Sequence, residues 1–222
     1  MVSSFFYLFN MNIHKFVVGP FQENTYLLTS DSNSIIIDPG FYNESEYSVF
    51  AKTLAASDTT LKAVVLTHAH VDHVLGLQRL MKDYDIPVYL NHSDLFLWEN
   101  FGSQATMFGL NQVQFGFDTE PLPADDEFNV AGFDFTCLYT PGHAPDHTSL
   151  YFKEEQVVIS GDALFRESIG RTDLYKGDFE LLKESILKKL YTLPEETIVY
   201  PGHGEKTTIG YEKQHNPFVK AE

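Results

Sequence analysis

The chain has 222 residues, 43% of them hydrophobic and 14% aromatic, which is enough apolar material for a substantial core and excludes a disordered or fibrous class. Its 15 basic against 31 acidic residues give a formal net charge of -16, which argues against nucleic acid or an anionic membrane as partner, because both are bound by Lys and Arg neutralising phosphates. The single cysteine, Cys137, excludes an intrachain disulfide and, inside the run Phe133 to Leu138, reads as a small core residue on a strand.

Residues 1 to 10 are apolar but lack a basic n-region and a small-residue cleavage site, and are too short to span a bilayer. Met11 then opens a strand-like run, so the decapeptide reads as an upstream extension and residues 11 to 222 as one domain. No stretch approaches transmembrane length, and the expectation is a cytoplasmic protein with no membrane partner, with room left for a homo-oligomer.

His14 to Val18, Gln22 to Thr29 and Ser34 to Ile37 are separated by turn chemistry and predict an antiparallel meander. Asp38-Pro39-Gly40 ends the third strand. Asn43 to Ala56 then reads as a helix, with Asn43 as N-cap, Glu46 closing a capping box, and Val49, Phe50 and Leu54 as its apolar positions. The apolar run Leu61 to Leu66 predicts a buried strand, followed by a helix from about Asp72 to Lys82 and a strand at Val88 to Leu90, an alternation that implies parallel pairing. Ser93 to Trp98 opens a short helix. Asn100 to Phe117 is poor in periodicity but rich in Phe and Met, and reads either as a lid or pocket wall or as an aromatic satellite core. Further strands are expected at Asp125 to Asn129, Phe133 to Tyr139, Ser149 to Phe152, Gln156 to Ile159 and Thr197 to Tyr200. Asp178 caps a helix striped by Leu181, Leu182, Ile186, Leu187 and Leu190.

The stretch Thr67-His68-Ala69-His70-Val71-Asp72-His73 places three imidazoles and a carboxylate just behind a buried strand, where α/β sheets put their sites. A solvated histidine loop is the bland alternative. Neutral imidazole and carboxylate are both metal ligands, and their spacings of two, four and five residues cannot all aim at one tetrahedral ion, so two adjacent ions are the natural reading. Three more strand ends present ligand types beside a glycine: His143 after Gly142, Asp162 after Gly161, and His203 after Gly202.

With this layout the chain resembles the metallo-β-lactamase superfamily of binuclear metallohydrolases, whose H-x-H-x-D-H motif, distant His, distant Asp and final His occur here in the same order. The resemblance implies an α/β fold, an αββα sandwich of two mixed sheets flanked by helices. It implies that His68, His70 and His143 hold a first divalent ion, that Asp72, His73 and His203 hold a second, and that Asp162 bridges them, with Asp72 and Asp162 the carboxylates that serve catalysis. Zinc is the expected metal, with iron or manganese as alternatives, since His with carboxylate serves all three. Open positions on such ions hold a water whose pKa falls to about 7, so hydroxide can attack an acyl centre at neutral pH.

Within the superfamily, Gly161 to Asp173 and Gly204 to Gly210 look like the short glyoxalase II-like thioesterases, which implies a small acyl thioester as substrate. A mononuclear iron persulfide dioxygenase shares much of this frame and is the alternative. Arg171 stands where longer members carry a basic substrate-binding residue, and is expected either to grip a substrate carboxylate or to pair with Asp173. The longer enzymes bind glutathione partly through a C-terminal helical domain, which is not expected here. The usual Thr or Ser and Gly after Pro-Gly-His are Ala144 and Asp146 in this sequence, followed by His147, which reads either as a surface or strand-start residue or as a hydrogen-bonding partner near the metals.

Overall fold

Apolar residues alternate along the opening strands, and the alternation gives the first sheet two buried faces. A computed structural model describes residues 11–110 and 115–220; the upstream extension, residues 1–10, lies outside the described residues, as do four residues of the Asn100 to Phe117 stretch. β1 (Asn12–Val18), β2 (Glu23–Ser30) and β3 (Asn33–Ile37) form the expected antiparallel meander. β4 (Thr60–Val65) lies parallel to β3, β5 (Val88–Asn91) parallel to β4, and β6 (Glu120–Leu122), which the sequence did not announce, parallel to β5. The second sheet has the spatial order β14 (Thr207–Thr208), β13 (Ile198–Pro201), β10 (Val157–Gly161), β9 (Thr148–Phe152), β8 (Phe133–Tyr139) and β7 (Asp126–Val130). Its one parallel pair is β10 with β13, so both sheets are mixed. β11 (Leu164–Phe165) and β12 (Ser168–Ile169) make a small separate ribbon.

Leu28, Ile35, Ile37 and Val65 of the first sheet meet Phe135, Cys137, Leu150, Phe152 and Ile159 of the second, and this layer between the sheets is fully shut off from water. Burying each such side chain contributes roughly 1.5–3 kcal/mol. The intervening residues Leu27, Ile36 and Val64 point the other way, onto Phe50, Leu54, Leu77 and Leu80 of the helices. On the far side, Val158 and Val199 pack on Leu182, Ile186 and Leu190. Period-two alternation in strands therefore yields the αββα sandwich. Cys137 is the expected core residue of β8, its thiol pushed up to about 12 by burial.

The helices depart from expectation in instructive ways. In α1 (Glu44–Ala56) the Asn43 side chain accepts from the N–H groups of Ser45 and Glu46, but Glu46 reaches past the cap to the N–H of Tyr42. Val49 is 54% exposed, and the buried stripe is Tyr47, Phe50 and Leu54. The helix expected from Asp72 to Lys82 is two short turns, α2 (Val71–Val74) and α3 (Leu77–Leu80). Between them Gly76 donates to Pro39 O at 2.7 Å, and a Cβ at Gly76 would come within 2.6 Å of the same oxygen. Close docking on Asp38-Pro39-Gly40 outweighs helix continuity there. The aperiodic stretch contains α4 (Phe96–Glu99) and α5 (Phe101–Met107). It serves both expected roles: Trp98 stacks on Phe115 in a satellite core, while Phe108 faces the site cavity. Asp178 caps α6 (Phe179–Ser185), which continues as a π-helical turn, Ile186–Leu190, and leaves Leu181 40% exposed. The last element is α7 (Ile209–His215). No helix among the described residues is long and apolar enough to cross a membrane.

Candidate metal centre

The seven ligand-type residues of the motif sit at one edge of the sandwich: Asp72 and His73 on α2, the other five on loops leaving the ends of β4, β8, β10 and β13. The chain reaches this edge four times because β4, β10 and β13 end there and β8 hands over to the loop 140–147 before returning as β9. β10 shifts register between Ile159 and Gly161, and Gly161 adopts φ +49°, which turns the backbone so that Asp162 points between the sheets.

His68, His70 and His143 come together with all three rings buried. His143 Nε2 lies 2.8 Å from His70 Nδ1 and 3.2 Å from His68 Nε2. These contacts are not all hydrogen bonds. Thr67 spends its hydroxyl proton on Asp38 Oδ2 at 2.6 Å, so His68 Nδ1 must donate to Thr67 Oγ1; His143 Nδ1 donates to the carbonyl of Arg171 at 2.7 Å. Both neutral rings then turn unprotonated Nε2 atoms toward each other. Burial holds His68 and His143 below the ordinary imidazole range, and His70 falls to about 3. Converging lone pairs repel unless a cation lies between them. An ion held at about 2.0–2.1 Å by tetrahedral ligands sets those ligands about 3.3 Å apart, close to the spacing found.

Asp72, His73 and His203 form a second group beside the first. His203 Nε2 stands 3.2 Å from Asp72 Oδ2 and 3.5 Å from Asp162 Oδ2, and His73 Nε2 stands 3.4 Å from Asp162 Oδ1. Asp162 Oδ2 is also 3.4 Å from His143 Nε2, which puts this carboxylate between the two groups. His73 Nε2 and Asp162 Oδ1 are buried with no hydrogen-bond partner among the described residues. Burial works against charge on His73, yet Asp162, Asp72 and Asp38 outweigh it and raise its pKa, so the locus favours positive charge. Orphaned donors aimed at one point, in a field that welcomes a cation, fit divalent metal.

Residues the sequence reading left out hold these donors in place. Asp38, at φ +48°, accepts from Thr67 N at 2.7 Å and from His73 Nδ1 at 3.0 Å, fixing the ring that presents Nε2. Its signal was an acidic residue ending a strand beside the one that carries the histidine cluster. Buried Asn24 donates through Nδ2 to Pro201 O and Gly204 O, each at 2.9 Å, and through its backbone to Gly202 O at 2.7 Å, gripping the loop that carries His203. Tyr26 adds a 2.6 Å bond to Pro201 O. Of the two readings of His147, hydrogen bonding near the centre is the one found and the surface residue is not: it is fully buried, and its Nε2 accepts from the N–H of Asp162 at 3.0 Å. The Gly161 turn makes room for it, since a Cβ there would lie 2.7 Å from that nitrogen.

A cavity of about 380 Å³ opens on the centre, lined by Phe21, Val71, Gln104, Phe108, Phe165, Ile169, Arg171 and Leu174 beside His70, Asp72, Asp162 and His203. Its walls are mainly apolar. Arg171 is its one Lys or Arg among the described residues, and Nε and Nη2 pair with Asp173 at 2.7 and 2.8 Å. That is the second of the two roles expected for Arg171, and it leaves Nη1 outside the pair. Of the remaining histidines, His14, His92 and His215 take no part in the centre.

The model of the Metallo-beta-lactamase superfamily matches residues 18–203. The probable metallo-hydrolase YqgX of Bacillus subtilis is 39% identical, with 94% of this chain and 98% of that protein covered. The hydroxyacylglutathione hydrolase GloC of Haemophilus influenzae is 38% identical, with 95% and 99% covered. Among solved structures, TTHA1623 in a di-iron-bound form superimposes with a TM-score of 0.83 at 39% identity, over 93% of this chain and all of that one. Together with the two mixed sheets and the histidine and aspartate groups at their edge, these matches show that the chain belongs to the metallo-beta-lactamase superfamily, whose members bind metal ions.

Proposed function

We propose that the protein is a binuclear metal-dependent hydrolase that cleaves a small acyl thioester. The observation that carries the proposal is the placement of Asp162 between two groups of converging donors, with His73 Nε2 and Asp162 Oδ1 buried and without a hydrogen-bond partner among the described residues. His68 Nε2, His70 Nδ1 and His143 Nε2 would hold one ion, Asp72, His73 and His203 the other, with Asp162 shared. Bound there, two divalent ions supply Lewis acidity and lower the pKa of a bound water to about 7. The chain's own residues do the rest: Asp38, Thr67 and the Arg171 carbonyl orient the imidazoles, and the apolar walls Phe21, Phe108, Phe165 and Leu174 exclude water from the acyl group. The remaining Nη1 of Arg171 is offered to a carboxylate on the thiol side of the substrate.

A thioester is favoured by the likeness to the protein named hydroxyacylglutathione hydrolase, and two ions by the likeness to a di-iron structure; zinc and manganese suit the same donors. The test is metal analysis of the purified protein together with hydrolysis of S-lactoylglutathione and simpler thioesters by Zn-, Fe- and Mn-loaded samples. Two ions per chain and thioester cleavage are expected. Robust oxygen uptake with glutathione persulfide by iron-loaded protein, with negligible cleavage in all three samples, would overturn the proposal in favour of a mononuclear dioxygenase.

A further inference from the structure

The loop that carries His143 ends in two consecutive buried residues, Asp146 and His147, whose side chains reach two different ligand-bearing loops. We infer that this dipeptide is a positioning pair that locks three ligand loops together, setting the donors in place before metal arrives. The inference rests on the assignment of His68, His70, His143 and Asp162 as metal ligands.

Asp146 Oδ2 accepts from the N–H of Ala69 at 2.9 Å. Ala69 stands between His68 and His70, so this bond fixes the peptide that sets how far apart the two rings lie. The carbonyl of the same residue accepts from Gln104 Nε2 at 3.0 Å, which clamps Ala69 from both sides. His147 Nε2 accepts from the N–H of Asp162 at 3.0 Å, so the ring's proton must be on Nδ1, which donates to Thr140 Oγ1 at 2.9 Å. The Thr140 N–H returns to His147 O at 2.9 Å, bracing the residue against its own loop. Ala69 and Asp162 offer buried loop amides that no strand partner satisfies, and an unpaired buried N–H is costly. One acidic and one imidazole acceptor, adjacent in sequence, satisfy both and join the His68/His70 loop, the His143 loop and the Asp162 loop.

The Asp146 carboxyl lies in a fully buried setting. Oδ1 is buried with no partner among the described residues, an arrangement that packing alone would not favour.

The pair is tested by titrating zinc against a chromophoric chelator with wild type, Asp146→Ala, His147→Ala and the conservative Asp146→Asn and His147→Gln, each of which keeps an acceptor atom. The alanine variants should bind ~10- to 100-fold more weakly, as is usual for residues that orient metal ligands, with Asn and Gln restoring most of the loss. Alanine variants that bind as tightly as wild type, or conservative variants that lose as much as alanine, would overturn the inference. Should the alanine variants not fold, amide exchange of metal-free wild type decides: the Ala69 and Asp162 N–H groups should be strongly protected, and free exchange at either would sink the idea. Failure of wild type itself to bind metal would instead strike the proposed function.

Discussion

Gly202 and Asp162 touch: a Cβ on Gly202 would lie 2.1 Å from Asp162 Oδ1 and 2.9 Å from Cε1 of His73. Neither atom can give way without leaving its place in the centre. Gly202→Ala is therefore expected to weaken metal binding by at least ~10-fold while leaving the far-UV spectrum unchanged, because the clash falls on ligands and not on the core. Equilibrium dialysis with zinc reads it, and unaltered affinity would show that the loop relaxes freely.

Asp162 and His203 should differ in what their loss removes. Asp162 stands within 3.5 Å of donors from both groups, whereas the ring nitrogen of His203 stands beside the carboxylates of Asp72 and Asp162. Asp162→Ala should leave the protein with neither ion firmly held. His203→Ala should keep about one ion per chain and lose ~10²-fold or more of thioester hydrolysis, the scale of losing one electrostatic stabiliser. Metal counts by plasma emission alongside rates separate the two.

Arg171→Ala is expected to raise KM for thioesters bearing a free carboxylate on the thiol side by about tenfold, with kcat held, since a charge-assisted bond present in ground and transition states alike is uniform binding. Uncharged thioesters should be nearly indifferent. Equal losses on both would assign the guanidinium wholly to its pair with Asp173.

Burial pushes the Asp146 carboxyl up to about 7. A carboxyl whose folded pKa exceeds its unfolded value binds its proton more tightly when folded, so its favourable contribution is complete below about pH 4 and is lost as pH rises through about 7. Metal-free wild type should thus lose stability relative to Asp146→Asn between pH 4 and 7, by on the order of a few kcal/mol at most. Urea unfolding across that range measures it, and parallel curves would place the carboxyl in an ordinary environment.

Much of the molecule was legible in its residues because the period of the strands is strict. Leu27 and Leu28 face opposite layers, as do Ile36 and Ile37, and a reading by alternation finds them. The seven donor-type residues stood out because each lies just beyond a strand, and three of them, His143, Asp162 and His203, sit beside a glycine. What escaped was set by tertiary contact. The helix after His73 breaks because Gly76 docks on Pro39, and β6 exists because β5 offers it an edge. His147 was ambiguous for a different reason: a histidine between Asp146 and Thr148 also has the sequence surroundings of a surface residue, and only the approach of the Asp162 amide decides between the two readings. Asp38 lay in plain view as the end of β3, but nothing local tells that its carboxylate serves Thr67 and His73.

The grip of Asn24 on the loop around His203 joins positions 180 apart in the chain. On a ribosome, the loop that β2 must hold emerges some 180 residues after Asn24, so the proposed second donor set stays incomplete over all of that synthesis. Contacts of such long range also form late, because closing large loops costs entropy before it is rewarded. A nascent chain would then offer His68, His70, Asp72 and His73 well before His143, Asp162 and His203, and metal supplied during synthesis should favour the docking of one sheet on the other rather than the folding of either.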